Sequence, residues 1–164
     1  MTHRQQPRRS VDHETSSPQA SNGASAQVEA RVRASFKNQS LMDHLGAELI
    51  RIAPGEVRIR LPHRPELTQQ HGYVHAGATS TIADSAGGLA ALTHFDAGQE
   101  VLTVEYKINL LAPAAGQYIE AVGTVLRSGH TLSVCRLEAF AVDHDRRTLI
   151  AAGQQTLIRV PAQK

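Results

Sequence analysis

Between His75 and His94 the chain reads HAGATSTIADSAGGLAALTH, a helical stretch made almost entirely of small residues. At about 1.5 Å per residue it would run roughly 30 Å, long for so small a domain and therefore its central element. Residues such as Ala83, Ala86, Gly87, Gly88, Ala90 and Ala91 leave little bulk on any side, so other backbone can approach closely and a sheet can wrap around the helix. One residue conflicts with that role. Asp84 is a lone carboxylate, and no other ionisable group follows it until His94. An interior carboxylate without a partner is disfavoured unless its neighbours satisfy it. Catalysis is one reason to keep such a group, and a second chain that supplies its partner is another.

The segments on either side supply sheet. Val28, Val32 and Phe36 recur at helical spacing and predict a packing or lid helix, with a short second piece near Leu41 to Leu45. Ala47 to Ile52 and Val57 to Leu61 flank Pro54-Gly55 and predict a hairpin, the second strand alternating Val57, Ile59 and Leu61 against Arg58 and Arg60. Beyond the long helix come strands over Val101–Leu111, Tyr118–Leu126, Thr131–Val142 and Thr148–Val160. In the first of these, Leu102, Val104, Tyr106, Ile108 and Leu110 oppose Thr103, Glu105, Lys107 and Asn109. The breaks between strands are short enough for antiparallel neighbours, which predicts a four-strand meander.

Composition limits the function classes. A chain of 164 residues has room for one domain and a tail. Residues 1–26, rich in Ser, Gln, Pro and Arg, are expected to be a disordered tail, leaving 27–164 as the domain. There are 17 basic against 15 acidic residues, and the basic cluster Arg4, Arg8 and Arg9 lies in that tail, so nucleic acid is not the expected partner. The single cysteine, Cys135, rules out an internal disulfide framework and agrees with a reducing compartment; it reads as a small buried residue. Neither a membrane span nor the apolar core of a secretory signal is evident, and a soluble, cytoplasmic protein is expected. His71 and His75 stand at i, i+4, but Gly72 occupies the place where a zinc protease needs glutamate, so no metal site and no cofactor are expected.

The element order, together with QQHGYVHAGATSTIAD over residues 69–84, resembles the α+β hotdog fold, an antiparallel sheet wrapped around one long central helix, and specifically the PaaI-like acyl-CoA thioesterases. The resemblance covers roughly residues 38–160. Family members usually read Asn or Gln, then a Gly, then His-Gly-Gly at the helix start, with an acid nine positions after the His. Here these positions are Gln69, His75 and Asp84, with Ala76-Gly77 where Gly-Gly is commoner. TVEYKINLLAPA at 103–114 and VLRSGHTLSV at 125–134 also resemble family strands.

The resemblance implies hydrolysis of an acyl-CoA thioester with Asp84 as nucleophile or general base. Backbone amides near Ala76 and Gly77, at the positive end of the helix, would hold the oxyanion, and His75 would cap or orient the helix start. Gln69 would add a side-chain amide, and Thr103 would assist the carboxylate or water. Arg127, Ser128, Gly129 and His130 offer a cation, hydroxyls and a relaxed backbone for coenzyme A phosphates. Ala76 and Asp84 lie about 12 Å apart along the helix, too far to touch one carbonyl, so a homodimer, and in the family also a dimer of dimers, would complete the site between chains. Two other readings stay open. A noncatalytic acyl-CoA sensor would need a DNA-binding module for which residues 1–37 are too short and polar, and a hydratase or dehydratase would need a catalytic His motif that the chain does not show.

Overall fold

The computed structural model describes residues 24–162. The expected tail thus lies outside the described residues except at its end, where Ser25 accepts the Val28 N–H at 3.4 Å and caps helix α1 (Ala26–Lys37). Helix α1 buries Val32 and packs Val28 and Phe36 against the core, as its spacing predicts. A short helix α2 (Ser40–Leu45) ends at Gly46, whose φ of 68° is the left-handed conformation that glycine adopts cheaply.

Strands β1 (Glu48–Ala53) and β2 (Glu56–Pro62) form the expected antiparallel hairpin. Gly55 in its turn has φ +73° and donates its N–H to Thr93 Oγ1 at 2.8 Å, tying the hairpin to the end of the central helix. Val57, Ile59 and Leu61 are fully buried, while Arg58 and Arg60 reach Glu56 and Glu48 on the outer face.

The central helix α3 (Ala76–Leu92) stops two residues short of its expected end. Arg31 of α1 closes it, donating to the carbonyls of Leu92, Phe95 and Asp96, so a cation sits where the helix dipole is negative. Its small residues admit the sheet backbone as expected. At Gly123, a Cβ would lie 2.3 Å from the Ala86 carbonyl carbon. No described helix is long and apolar enough to cross a membrane.

Four long strands follow: β3 (Gln99–Leu110), β4 (Tyr118–Ser128), β5 (Leu132–Asp143) and β6 (Arg146–Pro161). All neighbours in the six-stranded sheet are antiparallel, and the order is β1-β2-β4-β5-β6-β3. The four-strand meander is therefore corrected: β4, β5 and β6 form one, but β3 pairs with β6 at the far edge and β4 pairs with β2. The connection over 111–117 spans the two intervening strands. Three inter-strand spacings are roughly 14 Å, and seven residues reach about 23 Å, so a link short enough for a hairpin is also long enough for this crossing. It is anchored by Leu111 N–H on Ile150 O at 2.7 Å and Gln117 N–H on Val142 O at 2.8 Å.

A second correction concerns alternation in β3. The register against β6 shifts between Thr103 and Glu105, leaving Val104 as the extra residue of a bulge. Opposed residues share a face, so Thr103, opposite buried Leu157, lies on the helix side together with Tyr106 and Ile108 rather than against them. Leu102 is turned to the other face.

Candidate active site

Asp84 sits midway along α3, half-buried, where β3 and β6 pass the helix. Thr103, turned inward by the bulge, donates its hydroxyl to Asp84 Oδ1 at 2.8 Å. Gln155 of β6 donates to the same oxygen at 2.5 Å. The carboxylate is thus satisfied by neutral donors, and among the described residues no ion pair includes it. Asp84 and Thr103 line a cavity of about 330 Å³ with Ser35, Gln39, Ser85 and Glu100, and Oδ2 accepts no hydrogen bond from the described residues.

A second cavity, of about 310 Å³, lies at the start of α3, lined by Gln69, Tyr73, His75, Ala76, Thr79 and Leu110 among others. His75 is the N-cap: its Nδ1 accepts the Gly77 N–H at 2.8 Å. This corrects the expectation of two free amides, because Gly77 is consumed by the cap while the Ala76 N–H has no acceptor among the described residues. The Gln69 Oε1 accepts the His71 N–H and so belongs to its own loop, leaving its NH2 group for other partners. The structure thus brings Asp84 together with Thr103, and Gln69 with His75 and Ala76, in two separate cavities.

Arg127, Ser128, Gly129 and His130 lie at the β4–β5 turn, far along the sheet from α3's start. Ser128 Oγ is 3.0 Å from Ser133 Oγ, and Gly129 closes the turn on Leu132 O at 2.8 Å. His130 lines a surface cavity of about 410 Å³ together with Arg159, which stacks over Phe95 with its guanidinium 4.2 Å from the ring centre. Cys135 is buried, donates to Gly87 O at 3.5 Å, and its thiol is pushed up to about 12 by burial, which fits a packing role.

Two residues escaped the sequence reading. Arg159 adds the cation beside His130, and Gln155 holds Asp84. The only sequence signal for Gln155 is a polar residue two positions from Leu157 and Gly153 in a core strand. Its neighbour Gln154 is the same residue type, so facing could be known only from the register.

A model of the thioesterase superfamily matches residues 71–147. A crystal structure of a thioesterase family protein from Silicibacter pomeroyi superposes with a TM-score of 0.80 at 38% identity, covering 82% of this chain and 99% of that one. The Escherichia coli PaaI protein from the phenylacetic acid degradation operon shares the fold, with a TM-score of 0.75 at 20% identity over 86% of this chain and 99% of its own. Human acyl-coenzyme A thioesterase 13 is 29% identical over 109 residues, 66% of this chain and 76% of the relative. The fold and these likenesses define a hotdog-fold hydrolase of thioesters. The chain belongs to the thioesterase superfamily.

Proposed function

We propose that the chain hydrolyses acyl-coenzyme A thioesters, releasing a carboxylic acid and free coenzyme A thiol. The observation that carries this reading is the pairing, among the described residues, of a carboxylate whose Oδ1 is held by Thr103 and Gln155, with Oδ2 left without a donor, and an unused amide at the start of the same helix. Asp84 either removes a proton from water as it attacks the thioester carbon, or attacks that carbon itself to form an anhydride that water opens; in each route the C–S bond breaks and coenzyme A leaves as the thiolate, which takes up a proton. In both routes negative charge grows on the carbonyl oxygen, where the Ala76 N–H and the helix dipole stabilise it, with the Gln69 amide beside them.

These groups come from two protomers. Asp84 and Ala76 are eight residues apart on one helix, about 12 Å, and line different cavities. Strand β3, which carries Thr103, has one edge unpaired among the described residues and exposes Leu102 at 59%, Val104 at 59%, Tyr106 at 44% and Leu110 at 58%. An open edge bearing that much apolar surface suits a second copy. The turn at Arg127 to His130, with Arg159 beside it, takes the phosphate groups of coenzyme A.

The test is release of free thiol from a panel of acyl-coenzyme A substrates. Asp84→Asn keeps shape and loses the base, and kcat is expected to fall by about 10²- to 10⁴-fold. Turnover that survives the substitution would remove Asp84 from the chemistry.

A further inference from the structure

Gln155 is the most deeply placed polar side chain near the site, with no exposed surface, on β6 opposite Tyr106. Its Nε2 lies within hydrogen-bond distance of Asp84 Oδ1 at 2.5 Å, Thr103 Oγ1 at 3.0 Å and the Asp84 carbonyl at 3.1 Å. The Thr103 hydroxyl has one proton, and it goes to Asp84 Oδ1. Thr103 therefore accepts from Gln155 and passes a donor on, so the amide acts on Oδ1 both directly and through Thr103. Both donors converge on one carboxylate oxygen, which fixes the plane of the carboxylate and turns Oδ2 away from them.

The other end of the carboxamide gives the second observation. Gln155 Oε1 is buried with no hydrogen-bond partner among the described residues. Exchanging amide oxygen and nitrogen would set a carbonyl oxygen against the carboxylate, so Asp84 dictates this orientation. The space exists because residue 87 is glycine: a Cβ there would lie 1.9 Å from Oε1 and 2.6 Å from Leu137 Cδ2. A leucine or methionine would fill the core without an orphaned acceptor, which is the choice stability alone would favour. The glutamine is kept at a cost to packing, and its donors are spent on the carboxylate.

We infer that Gln155 is a positioning residue for the hydrolysis, holding Asp84 through Oδ1, directly and by way of Thr103, so that Oδ2 is presented to the reacting atoms. The inference rests on the proposed role of Asp84. Gln155 touches no substrate and acts through the carboxylate, so its loss affects the chemical step and not binding.

The experiment compares wild type, Gln155→Met, Gln155→Leu and Asp84→Asn in steady-state hydrolysis of an acyl-coenzyme A that the wild type cleaves, with a melting curve for each. Met matches the length and volume of Gln without a donor; Leu also lacks a donor and is shorter and branched, which guards against a Met variant that fails to fold. For a folded variant at 155, kcat is expected to fall about 10²-fold, the scale of a misplaced catalytic group, with KM within about twofold of wild type. A glutamine with only a structural role would instead lower the melting temperature and leave kcat per folded molecule near wild type, and that result overturns the inference. If Asp84→Asn is inactive while both variants at 155 turn over normally, Gln155 alone is excluded. If Asp84→Asn itself remains active, the proposed role of Asp84 falls and takes the positioning role with it.

Discussion

Among the described residues Asp84 is held by one hydroxyl and one carboxamide, with no counter-cation. Hydrogen bonds to a charged group are worth roughly 1.5–3 kcal/mol each, enough to offset much of the cost of a half-buried carboxylate. A buried Arg or Lys would satisfy the charge more strongly and would also block the oxygen that the proposed hydrolysis uses. Neutral donors on one oxygen leave the other available. Cys135, a few ångströms from the same helix at Gly87 O, shows the opposite outcome of burial. Its thiol is raised from 9.0 to about 12, so the folded chain keeps the proton while the unfolded chain releases it above pH 9. The stability this contributes is complete below pH 9 and is lost as pH rises toward 12. Denaturation midpoints measured across that window are expected to fall more steeply for wild type than for Cys135→Ala, and equal slopes would contradict the raised thiol.

At the scale of elements, the close approach of α3 and β4 organises everything else. Gly123 lies against the backbone of Ala86 and Gly87, where a Cβ would be 2.3 to 2.4 Å from main-chain atoms that cannot swing aside. Gly123→Ala is expected to destabilise the fold by about 1–3 kcal/mol, read as a lowered urea midpoint with an unchanged m-value. An unchanged midpoint would mean that the sheet can lift off the helix without cost. The helix, the hairpin and the alternation in β2 were legible because each is a local periodicity of side-chain size or polarity. The bulge at Val104 was not, since Leu102, Val104, Tyr106, Ile108 and Leu110 alternate without interruption in the sequence. The shift exists only against β6, and it brings Thr103 round to Asp84.

For the whole molecule, the proposed function assigns the two cavities on one helix to a site shared by a pair of chains. Ala76 is the first residue of α3, preceded by extended His75, a position where proline is tolerated and where it would delete a backbone N–H that has no acceptor among the described residues while leaving the helix intact. Ala76→Pro and Asp84→Asn are each expected to be inactive as homodimers. Mixed after subunit exchange, they form hybrids with one intact site, and roughly a quarter of wild-type activity should return. No recovery under proven exchange would place the site within one chain. What the sequence determined by itself was the set of elements, the small-residue helix, the acid at Asp84 and the spacing to Gln69 and His75, because all of these are short-range patterns. That β3 lies beyond β6, that Gly77 serves the His75 cap while Ala76 has no acceptor among the described residues, and that Gln155 rather than Gln154 faces inward were set by the folded arrangement. The physical reason is common to all three. Strand order, register and side-chain facing depend on partners distant in sequence, and a one-residue shift in pairing moves a side chain from solvent to the carboxylate.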